Sequence, residues 1–261
     1  MISILVVILT GIILAPLSCI MLWGRYVSFT DSLIHSCIFG GFISHLFGIN
    51  IVLAMILSGV LLWVIATNSY RRQNNHQIVK SKIDINTLYL ISMFMSSIAI
   101  SLGVNYNQLL FGNLLFVTYE NLFQLITIAV IIYSFLWKYR RDIYLMSLDI
   151  DLAAGLGVKV QFLQKCCLLL IITTVSIVIK VLGGGFFIVG AMILPSIIAV
   201  NISKNPSQML IYSVIISTTN NIFSIVVSEK LDLDFAPLTI ICGFILYSGI
   251  IGMKNFFLKI K

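Results

Sequence analysis

Charge is what this sequence has least of. Asp, Glu, Lys and Arg make up 10% of its 261 residues, while 60% are hydrophobic, and the mean hydropathy is +1.10. A water-soluble fold of this length needs far more charge to cover its surface, so that class is excluded. Several chemistries lack their residues too. An aspartyl protease of the membrane needs two intramembrane aspartates, and only Asp31 stands at the start of an apolar run. No G-x-S-x-G marks a serine nucleophile. No G-x-x-x-x-G-K-[ST] phosphate loop is present, so the chain is not expected to hydrolyse ATP itself. The five cysteines, Cys19, Cys37, Cys166, Cys167 and Cys242, form no C-x-x-C pair. Cys166 and Cys167 are adjacent and would point about 100° apart on a helix. All five read as small buried apolar residues. Internal repeats, low-complexity tracts and a soluble domain are missing as well, which leaves residues 1–261 as one transmembrane domain.

What the chain has is long apolar runs. Ile2–Trp23 holds 22 residues without a charge, and about 20 helical residues cross a hydrocarbon core of roughly 30 Å. Ser36–Tyr70 carries no Asp, Glu, Lys or Arg and has room for two helices around a turn at Gly48–Asn50. Leu88–Leu102, Leu122–Trp137, Leu163–Val181, Phe186–Val200, Leu210–Val227 and Leu238–Met253 follow. The expected fold is an all-α polytopic membrane protein of nine helices, N-terminus outside and C-terminus cytoplasmic. This threading puts fourteen of the sixteen cations on the cytoplasmic side and leaves only Lys180 and Lys230 outside, as the positive-inside bias requires. The net charge of +7 is thus a topology signal and calls for no nucleic acid. An alternative with eight spans has the N-terminus inside and residues 31–49 re-entrant; it moves only Arg25 across. Ile2–Trp23 lacks a basic leader and a small-residue cleavage site, and reads as a retained helix, not a signal peptide.

Four segments carry residues suited to chemistry. Asp31 and His35, four apart, share a helical face. Carboxylate oxygen and imidazole nitrogen both ligate zinc or manganese, and ionisable groups beside a span mark ion pathways. The competing reading makes Asp31 an interfacial helix cap and His35 a packed side chain. His45 lies about 80° off that face and reads as packing. In Arg140–Gln161, Asp149 and Asp151 open a short helix that Gly155 and Gly157 close. It is either a docking knob under the bundle, in which small Ala153 leaves room for a close surface, or an ordinary connector. Gly183, Gly184 and Gly185 break a helix, and Pro195 frees a carbonyl inside the next span. That combination suits a mobile pathway wall, or a tight turn before a proline-tolerant helix. In Glu229–Pro237, the acids Glu229, Asp232 and Asp234 sit at the extracytoplasmic mouth. There they attract cations, meet a basic docking surface, or are simply solvated.

These segments, in this order, resemble the membrane permease of bacterial ABC importers for zinc, manganese and iron. The resemblance is carried by Pro16–Arg25 (PLSCIMLWGR) with Asp31–Gly40 (DSLIHSCIFG), Leu110–Leu115 (LFGNLL), Asp151–Val158 (DLAAGLGV), the Gly184-to-Pro195 spacing, and Asp232–Pro237. Departures are Ser18 for the usual glycine, Phe186 and Phe187 for smaller aliphatics, Gly190 for alanine, and Asp234 and Ala236 at positions of proline and glycine. The resemblance implies a type II-like importer of the bacterial inner membrane. Two permease copies would surround a central path, two ATPase subunits would bind the cytoplasmic face, and a periplasmic binding protein would deliver the metal. Asp31 and His35 become transient pathway ligands, Asp151, Ala153 and Gly157 the ATPase coupling residues, and Gly184 and Pro195 the gating break. No cofactor is permanently bound. Asp31–Asn50 is most like the zinc members, so zinc is the expected cargo, with manganese or iron the alternative. A secondary metal transporter would carry more intramembrane carboxylates and histidines for coupling.

Overall fold

The structure, a computed structural model, describes residues 2–24, 27–71, 85–102 and 117–260. The Leu110–Leu115 motif, Arg25 and the cations Arg72, Lys80 and Lys82 lie outside them. The elements in chain order are α1 (Ile2–Gly24), α2 (Val27–Phe47), α3 (Ile51–Arg71), α4 (Ile85–Ser101), α5 (Tyr119–Leu148), α6 (Ile150–Gly155), α7 (Val160–Leu182), α8 (Gly185–Ile188), a π-helical turn (Val189–Ile193), α9 (Leu194–Ile202), α10 (Pro206–Leu231) and α11 (Phe235–Ile260). No strand occurs among the described residues.

Six of these are long and apolar enough to cross a bilayer: α1, α5, α7, the continuous Gly185–Ile202, α10, and Phe235–Gly252 of α11. α3 and α4 supply shorter apolar stretches, Ile51–Ile65 and Tyr89–Ser101. α2 is not in either group, because Thr30, Asp31, Ser32, His35, Ser36, Ser44 and His45 interrupt its apolar residues. The turn expected between α2 and α3 is present. Gly48 adopts φ 66, Ser44 Oγ donates to Ile49 O at 2.7 Å, and Asn50 Oδ1 receives Val52 N–H at 3.0 Å.

α1 and α7 are the most enclosed spans and α5 the least. Leu14, Leu17, Leu33, Ile172, Val175 and Phe187 form part of the shared core. α2 reaches α3 through Gly40. A Cβ there would stand 2.6 Å from Met55 Cα and 2.8 Å from Ala54 O, backbone atoms that cannot turn aside. α1 and α5 run in the same direction: Tyr133 meets Ile12, and further along both helices Tyr144 meets Trp23, edge to face at 6.3 Å. The end of α1 therefore lies beside the Lys138–Arg141 end of α5. There α5 bends, at Tyr139 (φ −106, ψ 15).

Two prolines fall inside apolar helix, and each leaves a carbonyl without its usual donor. Pro16 cannot donate to Ile12 O; Tyr133 Oη from α5 donates there instead, at 3.0 Å. Pro195 cannot donate to Ala191 O, within the π-helical turn; Ser217 Oγ from α10 does, at 3.1 Å. Ser217 belongs to a buried polar row on α10 with Ser213, Asn220, Asn221 and Ser224. Asn221 Nδ2 donates to Val7 O of α1 at 3.2 Å, Asn220 Nδ2 to Thr239 O of α11 at 3.0 Å, and Cys19 Sγ to Ser213 Oγ at 3.2 Å. In hydrocarbon such interhelical bonds are worth about 0.6 kcal/mol on average and up to about 1.7.

Tyr133→Phe should accordingly lower the thermal unfolding midpoint of the detergent-purified chain, by a loss in that range. In a Pro16→Ala background the same change should cost less, because alanine brings the backbone N–H that proline lacks and restores the bond to Ile12 O. Equal losses in both backgrounds would refute this account of the α1–α5 contact.

Candidate functional site

α2 carries the polar residues that a membrane-buried helix ordinarily avoids, and it sorts them by face. Thr30, Ser32, Leu33, Ile34, Ser36, Cys37 and Ile38 are buried. Val27, Asp31, His35 and Phe39 are half-buried and recur every fourth residue, so they form one stripe. Asp31 lies past the first turn of α2, which has no acid. It is therefore no N-terminal cap, which removes that half of the competing reading. His35 does pack: its ring meets Tyr89 of α4 edge to face at 5.6 Å, and its Nδ1 is 3.4 Å from Ser96 Oγ. Ser96 gives its own proton to Met93 O at 2.9 Å, so toward His35 it can only accept. That favours the Nδ1–H tautomer and leaves the Nε2 lone pair for a cation. Packing and ligation are thus compatible, since a fixed ring is what a ligand histidine requires.

Among the described residues no three of His, Cys, Asp and Glu cluster. Asp31 and His35 therefore offer two protein donors at most from one chain. His45, expected to pack, is exposed in the last turn of α2, just before the α2–α3 turn.

The 140–161 segment folds as the sequence indicates. Asp149 caps α6, its Oδ1 accepting from Asp151 N at 2.8 Å and Leu152 N at 3.4 Å. Gly157 takes φ 83, and Gly157 N and Val158 N close on Ala154 O and Ala153 O at 3.0 and 3.1 Å. Ala153 corrects the expectation attached to it. It is fully buried, so its small size serves the seating of α6 on the chain itself, where α6 touches α5 and α7. The outward surface consists of Leu148, Ile150, Leu152, Leu156 and Phe162, all exposed, together with exposed Asp151. The motif positions alone do not reveal these apolar residues, and the spacing of two between Leu148, Ile150 and Leu152 is no helical-face pattern that could have found them. Beside them a cleft of about 570 Å³ opens between Tyr139, Arg141, Asp142, Lys159 and Phe162.

The glycine break and the acidic loop meet. Gly183 and Gly184 take φ 65 and 74, conformations that suit residues without a Cβ, and Phe187 N then closes on Gly184 O at 2.9 Å. The Phe187 ring lies 5.2 Å from Phe235, at the start of α11. Asp232 ends α10 in the left-handed region, φ 53, which Asp tolerates better than most. Ser228 Oγ donates to Leu233 O at 2.6 Å and fixes the turn. Glu229, Asp232 and Asp234 are all exposed around it. Pro195 stands at the start of α9, directly after the π-helical turn.

The profile of the ABC 3 transport family matches residues 1–253. The chain is 29% identical over 248 residues to the high-affinity zinc uptake system membrane protein ZnuB of Buchnera aphidicola subsp. Baizongia pistaciae, covering 92% of this chain and 93% of that one. It is 25% identical over 243 residues to the chelated iron transport system membrane protein YfeD of Yersinia pestis, covering 92% and 80%. Among solved structures it superposes on a chain of PsaBC from Streptococcus pneumoniae in complex with Fab, with a TM-score of 0.81 at 20% identity over 95% of this chain and 89% of that one. An inward-facing metal-chelate type ABC transporter matches with a TM-score of 0.70 at 19% identity, covering 96% and 85%. With its apolar helices, its glycine-broken span and a profile match over nearly its whole length, this chain belongs to the ABC 3 transport family, the membrane permeases of bacterial metal ABC importers.

Proposed function

We propose that the chain is the permease subunit of an importer that moves a divalent transition metal, with zinc as the cargo, across the bacterial cytoplasmic membrane. The observation that carries the reading is α2. It interrupts its apolar length with polar side chains and holds the ionisable pair Asp31 and His35 on a half-buried stripe. A desolvated cation needs donors in the low-dielectric part of its route, yet a complete cage would trap it. One carboxylate and one imidazole, with water or a second copy completing the shell, meet both demands. Zinc accepts this mixed oxygen–nitrogen set, and the zinc uptake name of one relative agrees with it. The iron name of another keeps manganese or iron as the alternative.

Two copies would enclose the path, an external binding protein would deliver metal at Glu229, Asp232 and Asp234, and two ATPase subunits would dock under α6. The exposed apolar surface of α6 supports the last point. Nine spans result if α2, α3 and α4 are counted with the six long apolar ones. The parallel run of α1 and α5 supports this threading over the eight-span one. With Lys138–Arg141 in the cytoplasm, the end of α1 beside them is cytoplasmic too, and the N-terminus is outside. Gly184 and Pro195 would frame the moving wall, since a π-helical turn between them is a ready hinge.

Topology has a direct check. Ser147→Cys, in a background lacking the native cysteines, should resist an impermeant thiol reagent in intact cells and react after permeabilisation. Labelling from outside would invert the threading.

Docking under α6 separates two neighbouring residues. Leu152→Arg should insert and fold normally but lose the co-purifying ATPase and with it transport. Ala153→Arg should instead lower the stability of the permease itself, by about 1–3 kcal/mol or more from overpacking. The opposite pattern would place the partner on the buried side.

The metal path is tested by Asp31→Asn and His35→Ala. Loss of even an outer-shell partner commonly costs a metal site about tenfold or more, so each variant should reduce uptake at limiting zinc at least that much, with assembly and ATP binding intact. The double variant should lose little beyond the worse single one, because both act on one ion. Wild-type uptake in both singles would make the pair structural.

A further inference from the structure

On the lateral face of the bundle, α1, α5 and α10 leave a groove of about 430 Å³. Pro16 and Ile20 of α1, both buried, form the floor, with Leu136 of α5 on one wall and Leu210 and Val214 of α10 on the other. Ile211 and Ile215 at its lip are exposed, so the groove opens sideways, where acyl chains would lie. Its far end is different. Trp23 and Tyr144 meet edge to face there, Trp137 stands 78% exposed, and Arg140 is the one charged residue of the lining. Trp and Tyr at such a level mark the membrane–water interface. The bend at Tyr139 sits immediately before Arg140, where α5 leaves the apolar belt. The nearby acid, Asp142, lines the other cleft, beside α6.

We propose that this groove binds one anionic phospholipid, with a phosphate oxygen on the Arg140 guanidinium and an acyl chain along Pro16, Ile20 and Val214. Shape and charge agree on this occupant. The lining is apolar over its length and ends in a cation at head-group depth. A guanidinium pairs with phosphate through two parallel N–H donors. A helix of a second protein copy would fill the apolar part but bury Arg140 without a counter-charge, which is unfavourable. The lipid supplies that charge. Only the choice of leaflet, the cytoplasmic one, rests on the topology proposed above; the site itself and its test are independent of transport.

The full chain is reconstituted in phosphatidylcholine nanodiscs containing phosphatidylglycerol, and the lipid that stays bound on gentle release is counted by native mass spectrometry. The wild type should retain one phosphatidylglycerol in preference to phosphatidylcholine. Arg140→Gln, at an exposed position, should lower that preference about fivefold, the worth of one surface cation toward an anionic membrane. Val214→Trp should fill the groove and abolish retention of either lipid, while Lys204→Gln, outside the groove, should change nothing. Undiminished phosphatidylglycerol retention in both Arg140→Gln and Val214→Trp would overturn the proposal. So would efficient disulfide cross-linking of two Val214→Cys chains within the groove, which would assign it to a second protein copy.

Discussion

Inside hydrocarbon no water completes a broken helix, so a backbone carbonyl that loses its N–H partner must find a donor on another helix. This constraint organises the contacts of the bundle. Pro16 releases Ile12 O and Tyr133 answers it from α5; Pro195 releases Ala191 O and Ser217 answers it from α10. Each proline thereby fixes a neighbour at a definite height. The first pairing sets α1 and α5 in parallel register. The second ties the π-helical turn to the polar row of α10, which also holds α1 through Asn221 and α11 through Asn220.

Those ties divide the chain into parts with different freedoms. α1, α7 and the polar row of α10 are enclosed and cross-bonded. The Gly185–Ile202 span is bonded too, but it is interrupted by left-handed glycines at one end and by a π-helical turn before Pro195. It is tied to α10 by the Ser217 hydroxyl on Ala191 O, beside Phe187, Ile188 and Met192 in the apolar core. α2 stands apart for a different reason: close approach at Gly40 holds it to α3, while its Asp31–His35 face stays half open.

Much of the architecture was legible from the residues. Runs of apolar residues without charge located the helices, because helix length must match the bilayer. Gly48–Asn50 announced a turn, Gly183–Gly185 a break, and Asp149 with Gly157 the two ends of α6. Each of these is a local matter of backbone conformation and capping, and local signals survive any change in packing. The i, i+4 relation of Asp31 and His35 is local in the same sense.

What the sequence could not say was which side of each element faces inward. Ala153 looked like a gap left for a partner; only its seating against α5 and α7 reveals that it is buried and that Leu152 and Leu156 point out. His45 looked like a packing residue, and it is exposed in the last turn of α2. The tautomer of His35 depends on Ser96, sixty-one positions away, and the partners of Ile12 O and Ala191 O come from helices remote in the chain. Composition and periodicity determined that helices form and where they end, since those depend on neighbours within a few residues. Facing, pairing and the lateral groove depend on how helices far apart in sequence pack together, and only the tertiary structure decided them.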